Sequence, residues 1–277
     1  MIKSEKILIV VILIIILLLL FTIYGNNKIG NNYDLKIYFF NAGKADAILI
    51  SKNEKYILID TGEESLSDDL LQYFKNNNIE RLEYLIITHF DKDHVGSASS
   101  IIDNIEIGEV LQSNSPKESI YYTNYLSSLS NKSITPITVS GDYEILFEDL
   151  QINVNGPTTI FENNESNNSS LIVSMIYNDN KFLFMGDSEN ARIKDYLSNN
   201  TETYDFIKIP YHGNYLKRLD DLLDVVNPTY GVITCSSKEG CEDDTLDILD
   251  TYNIEYYMTK NGAISVLSDG NKIIIKQ

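Results

Sequence analysis

Apolar residues fall into short runs whose spacing changes along the chain. Leu35–Phe40, Ala47–Ser51 and Tyr56–Asp60 are rich in Ile, Leu and aromatics and are separated by Gly, Lys and Asn turns, which predicts three strands. Leu66, Leu70, Leu71 and Phe74 recur at helical spacing and predict a helix over Leu66–Phe74. Tyr84–Thr88 reads as a strand, Ser97–Ile102 as the opening of a helix, and Pro116–Ser130 as another helix. Ile134–Val139, Tyr143–Phe147 and Leu150–Val154 read as strands of a meander, and Asn163–Ser170 as a polar loop. Leu171–Tyr177 and Lys181–Met185 predict a hairpin closed by Asn178-Asp179-Asn180. Helix and strand then alternate: helix Ser188–Leu197, strand Phe206–Pro210, helix from Tyr215, strand Tyr230–Thr234, helix Asp243–Tyr252. Strands at Glu255–Met258, Ala263–Ser268 and Lys272–Lys276 close the chain. A strand-rich first half followed by this alternation predicts an α/β (α+β) domain. Its two mixed sheets pack face to face with helices outside, a four-layer αββα sandwich.

The N-terminus follows another pattern. Residues 1–6 carry Lys3 and Lys6, and Ile7 to Ile23 is apolar except for Thr22. At about 1.5 Å per residue this run spans about 26 Å, slightly less than a hydrocarbon core of about 30 Å. Lys6 can snorkel at one end and Tyr24 can anchor at the other. A cleaved signal peptide is the alternative. The run exceeds a usual signal core, however, and Thr22-Ile23-Tyr24-Gly25 lacks a small-x-small cleavage pattern. We therefore expect an inside N-terminus over 1–6, a signal-anchor over 7–24, a linker over 25–33 and one folded domain over 34–277, held outside the cell membrane.

Charge narrows the partners. Forty acidic against 22 basic residues give a formal net charge of −18, which argues against the broad basic surface that stable duplex DNA binding requires. Bound metal ions reverse the sign of a cleft locally, so a nucleic-acid substrate stays open. Cys235 and Cys241 are the two cysteines. Their spacing suits either a small disulfide loop in an oxidising compartment or a pair of free thiols.

The candidate chemistry sits at strand ends. Thr88-His89-Phe90-Asp91-Lys92-Asp93-His94 directly follows an apolar strand. Such a cluster converging without a cation would be costly in repulsion and desolvation, and a divalent metal converts that cost into coordination. The chain has three histidines, and the third, His212, also follows an apolar strand. Asp187 lies after Phe182-Leu183-Phe184-Met185-Gly186, again at a strand end before a helix. Open α/β architectures place their sites there.

The His-x-Asp-x-Asp-His run resembles the His-x-His-x-Asp-His signature of the metallo-β-lactamase fold, with Asp91 in the second histidine place. The variant Thr-His-x-Asp-x-Asp-His-x-Gly resembles the C-terminal hydrolase domain of the competence protein ComEC and its stand-alone relatives. Further segments agree in order: Asn41-Ala42-Gly43-Lys44-Ala45-Asp46-Ala47, Leu58-Ile59-Asp60-Thr61-Gly62, Asn168-Ser169-Ser170-Leu171, Gly186-Asp187 and Pro210-Tyr211-His212-Gly213-Asn214. The resemblance implies a sandwich of the metallo-β-lactamase type. It implies His89 and Asp91 at one metal position, Asp93, His94 and His212 at a second, and Asp187 bridging. Asp46 and Asp60 would stand behind these ligands and orient their imidazoles. Asn41, Ala45 and Tyr211 depart from the family pattern, and no histidine lies between His94 and His212 to complete the first position.

The resemblance further implies metal-assisted hydrolysis by one or two divalent ions, zinc or manganese. A metal-bound hydroxide would attack a phosphodiester, with Asp93 orienting it and His212 or Lys44 stabilising the leaving group. The oxygen ligand from Asp91 favours harder ions than an all-imidazole site does. Two other readings are a non-catalytic metal-binding surface protein of the same fold and a hydrolase of a small ester, lactone or β-lactam.

Overall fold

Alternating burial sets the first strand. β1 (Leu35–Phe39) turns Leu35, Ile37 and Phe39 to the interior and Lys36 and Tyr38 to its other face. β1 lies within a sheet of eight strands among the described residues, residues 33–161 and 163–277 of the computed structural model. The apolar run of 7–24 and the linker up to residue 32 lie outside the described residues. Among those described, no helix is long and apolar enough to cross a membrane.

The first sheet runs in the order β15 (Ile273–Lys276), β14 (Ile264–Ser268), β1, β2 (Ile48–Lys52), β3 (Lys55–Ile59), β4 (Arg81–Ile87), β5 (Glu106–Ser113), β6 (Ile137–Val139). The second has seven strands: β13 (Glu255–Met258), β12 (Tyr230–Ile233), β11 (Phe206–Lys208), β10 (Asn180–Phe184), β9 (Ile172–Tyr177), β8 (Leu150–Gly156), β7 (Gly141–Phe147). β3 to β6 pair in parallel, as do β10 to β13.

Each sheet buries both faces. Between them lie Ile37, Phe39, Ile57, Ile86, Phe184 and Phe206, with the Phe39 ring tilted against Phe206 at 5.8 Å and stacked on Phe184 at 6.3 Å. The outer face of the first sheet is covered by α1 (Ser67–Asn76), α3 (Ala98–Asn104) and α4 (Ile120–Asn131), after the short α2 (Lys92–Val95). The second is covered by α5 (Asn190–Asn199), α6 (Leu219–Val226) and α7 (Asp243–Thr251). The layers are those of the expected αββα sandwich.

Five local features differ from the sequence reading. β5 lies within the parallel set, yet Glu106, Gly108 and Glu109 break its alternation and hide it in sequence. The helix expected from Pro116 begins at Ile120, because Ser119 caps it by accepting the Tyr122 N–H at 3.1 Å. The helix expected from Tyr215 begins at Leu219. The strand expected through Pro210 stops at Lys208, where Pro210–Gly213 form a tight turn. The expected polar loop holds a 3-10 helix over Asn163–Ser169.

Candidate metal centre

The parallel strands of both sheets end at one edge, and the loops after β3, β4, β10 and β11 meet there. From the first sheet come Asp60, after β3, and His89, Asp91, Asp93 and His94, after β4. The backbone of His94 is fixed by Thr61, whose N–H and hydroxyl donate to its carbonyl at 2.7 and 2.9 Å. Gly96 allows this loop to close. A Cβ there would lie 2.3 Å from the Lys92 carbonyl and 2.6 Å from the Glu64 nitrogen.

The second sheet supplies Asp187 after β10 and His212 after β11. Tyr211, His212 and Gly213 occupy left-handed backbone conformations in succession, with φ of 53°, 54° and 74°. Two non-glycine residues in that region need outside support. Cys241 and Glu242 supply it by donating their N–H groups to the carbonyls of His212 and Gly213 at 3.0 and 2.9 Å. Cys241 is disulfide-bonded to Cys235.

These loops bring Asp93, His94, Asp187 and His212 together, with one ligand atom from each lying within 4.8 Å of the others. Asp187 Oδ2 is 3.3 Å from His94 Nε2 and 3.1 Å from His212 Nε2, and Asp93 Oδ2 is 3.5 Å from His212 Nε2. The His89 ring lies tilted beside that of His94, centroids 4.0 Å apart. Asp91 stands aside from the four. It lies 3.9 Å from His89 Nε2 and is held at 2.6 Å by Lys117.

Behind the cluster every polar group is engaged. Asp60 accepts from the Thr88 N–H at 2.8 Å, the Thr88 hydroxyl at 2.6 Å and His94 Nδ1 at 2.7 Å. His212 Nδ1 donates to the Thr234 carbonyl at 2.9 Å. These contacts put the proton on Nδ1 in both rings and leave Nε2 facing the cleft. Asp46 accepts from the Thr234 hydroxyl at 2.6 Å and pairs with Lys208 Nζ at 2.6 Å. Asp60 thus lies directly behind the His94 ring, and Asp46 lies 3.6 Å from His212 Nδ1 and 4.0 Å from His94 Nδ1.

The front is different. His89 Nε2, His94 Nε2 and His212 Nε2 are buried, and none has a hydrogen-bond partner. Buried unpaired polar atoms are rare and costly, and here all three are imidazole nitrogens, a metal-ligating type. A divalent ion accepting those lone pairs fits the donor set.

Protonation follows the same geometry. Burial opposes the imidazolium, yet Asp187 and Asp60 hold His94 well above its ordinary value. His212 is pushed up to about 8, with Asp187 and Asp93 outweighing burial. His89 is lowered by burial and by His94. Asp187 and Asp93 stay ionised against burial because the two histidines beside them favour the carboxylate.

Sequence reasoning missed Lys208 and Thr234, and gave no role to Thr88 and Ser170 within the motifs that contain them. Lys208 is fully buried and reaches Asp46, the Gly186 carbonyl and Asp187 at 2.6, 3.0 and 3.5 Å. Its signal was a lysine inside an apolar strand. Ser170 Oγ lies 3.4 Å from His89 Nδ1 and accepts the Asp187 N–H at 3.1 Å. It is anchored by Arg192, whose buried Nε donates to the Ser170 carbonyl at 3.0 Å.

The chain is 26% identical over 239 residues to Recombination protein 2 of Haemophilus influenzae, covering 84% of this chain and 28% of that protein, so it spans under a third of its relative. Among solved structures, the metallo-beta-lactamase fold protein YhfI from Bacillus subtilis superposes with a TM-score of 0.56 at 10% identity, over 88% of this chain and 100% of that one. A mutant of the CmlA beta-hydroxylase superposes with a TM-score of 0.53 at 15% identity, over 81% of this chain and 52% of that one. These likenesses concern the fold. Residues 41–236 match the model of the metallo-beta-lactamase superfamily, and the chain belongs to that superfamily.

Proposed function

We propose that this domain is a metal-dependent phosphodiesterase of the ComEC-like kind, held on the outer side of the cell membrane by an anchor over residues 7–24. The observation that carries the hydrolase reading is that the buried Nε2 atoms of His94 and His212 have no hydrogen-bond partner and both stand within 3.3 Å of Asp187 Oδ2, with the unpartnered Nε2 of His89 in the neighbouring ring. Asp93, His94, Asp187 and His212 would hold an ion, with His89 and Asp91 beside it. A bound divalent ion supplies Lewis acidity toward a phosphoryl oxygen and makes water acidic enough to react near neutrality. The carboxylates in the cluster favour manganese more than an all-imidazole site would, and zinc also suits the nitrogen donors.

The chain's own residues do the remaining work. Asp93 stays ionised and can orient a nucleophilic water and take its proton. Burial and the carboxylates of Glu189 and Asp187 keep the Tyr211 phenol protonated, so it can donate a hydrogen bond to a leaving oxygen. Lys44 lies 5.7 Å over the Tyr211 ring and adds positive charge on that side. The phosphodiester preference draws support from the likeness to Recombination protein 2 and from the Thr-His-x-Asp-x-Asp-His-x-Gly run.

The net charge of −18 favours a second reading, in which the substrate is a small diester or other small ester and not a long polyanion. One assay tests both. The full-length chain in detergent, loaded with Mn²⁺ or Zn²⁺, is expected to hydrolyse bis(p-nitrophenyl) phosphate at least a hundredfold faster than His94→Ala. Equal rates would favour a non-catalytic member of the fold. Poor, salt-insensitive cleavage of single-stranded DNA alongside good diester hydrolysis would end the nuclease reading.

A further inference from the structure

Lys117 lies in the loop after β5, outside every motif read from the sequence, and points at the first metal position. Its Nζ donates to Asp91 Oδ1 at 2.6 Å and to the Ser166 hydroxyl at 3.2 Å. The same Asp91 Oδ1 lies 3.9 Å from the unpartnered Nε2 of His89. Asp91 is thus shared between a fixed cation and the place where a first ion would sit. Both side chains are sheltered, at 28% and 23% exposure, so the pair is screened less than a surface ion pair.

The residue types agree with this placement. The first position has His89 and Asp91, and no further histidine lies between His94 and His212. Asp93, His94, Asp187 and His212 converge as a complete four-ligand group without them. An ammonium beside Asp91 opposes a divalent ion there twice, by repelling it and by holding the carboxylate oxygen the ion would need.

Building on the metal-centre reading above, we propose that the centre holds one tightly bound ion, at Asp93, His94, Asp187 and His212, and that the Lys117 ammonium provides the positive charge of the first position. His89 and Lys117 then face the substrate side by side. A phosphate oxygen placed there meets a lysine donor where a two-ion site would offer a second metal. Lys117 is accordingly a substrate-binding residue as well as the group that excludes the second ion.

The test counts ions directly. The full-length chain in detergent is titrated with Mn²⁺ alone, with stoichiometry from elemental analysis after gel filtration and coupling between ions from electron paramagnetic resonance. The wild type is expected to retain one ion per chain with an uncoupled six-line spectrum. Lys117→Met, which keeps the chain length and removes the charge, is expected to take up a second ion at least tenfold more tightly than the wild type and to show a coupled spectrum. Lys117→Arg is expected to stay at one ion. Two tight, coupled ions in the wild type would overturn the proposal, as would a single uncoupled ion in Lys117→Met. If none of the three proteins retains an ion, the metal-centre reading itself falls, and this inference with it.

Discussion

Lys208 and Asp46 form an ion pair of 2.6 Å in which neither side chain is more than 1% exposed. Lys208 also reaches Asp187 at 3.5 Å, so one buried ammonium serves two carboxylates behind the metal centre. Removing one partner of such a pair leaves an uncompensated buried charge. Lys208→Met is expected to destabilise the fold by about 3–5 kcal/mol, read by urea denaturation. A loss below about 1 kcal/mol would show that Thr234 and the histidines compensate Asp46 without the lysine.

Asp60 acts through His94. It accepts three hydrogen bonds, one of them from His94 Nδ1. Asp60→Asn retains one acceptor oxygen and turns the other group into a donor, which disturbs the tautomer that presents Nε2 to an ion. Metal affinity is expected to fall about 10–100-fold with the circular dichroism spectrum unchanged. Competition against a chelating dye measures it, and an unchanged affinity would refute the orienting role.

Acid and metal compete for the same nitrogens. In protein stripped by a chelator, His212 titrates near 8 against an ordinary 6.5, because Asp187 and Asp93 outweigh burial. A pKa raised by folding stabilises the folded state fully below the unfolded value, and that contribution disappears as pH rises through the folded value. The stripped protein is therefore expected to lose thermal stability between pH 6.5 and about 8. His94, also raised, acts in the same direction. Asp93 and Asp187 are shifted down and titrate below this window. Metal affinity should run the opposite way and weaken on acidification below about pH 8. Melting temperatures across this range, with and without Mn²⁺, check both signs.

The disulfide is expected to support the metal centre. Cys241 donates to the His212 carbonyl, and the carbonyl of Thr234, next to Cys235, accepts from the His212 ring. Replacing both cysteines by serine should cost about 2 kcal/mol of stability, as expected for a loop this short. It should also weaken metal binding by up to about tenfold, since the left-handed turn loses part of its brace. Metal affinity equal to that of the wild type would confine the bridge to a stability role.

Much of this architecture is legible in the sequence because strands announce themselves by short apolar runs, and the ligand-type residues stand where those runs stop. His89, Asp93, His94, Asp187 and His212 stand at such stops, and the fold brings all five to the same edge of the sandwich. β5 was not legible, since its pairing on both sides comes from tertiary neighbours and its exposed glutamates obscure the period. Lys208 and Lys117 escaped for a related reason. A lysine's role depends on which carboxylate the fold brings to it, here Asp46 from 162 residues away and Asp91 from 26 residues away. The separation of Asp91 from the four-ligand group is likewise a matter of side-chain direction and not of spacing.

The ligand group draws Asp93 and His94 from the first sheet and Asp187 and His212 from the second. During synthesis, the growing chain carries only half of this group until residue 187 emerges, and the full set requires residue 212. An ion taken up at this centre would therefore join the early and late parts of the polypeptide. It would record that synthesis has passed His212, and truncated chains ending before that residue are expected to leave the ribosome without a tightly held metal.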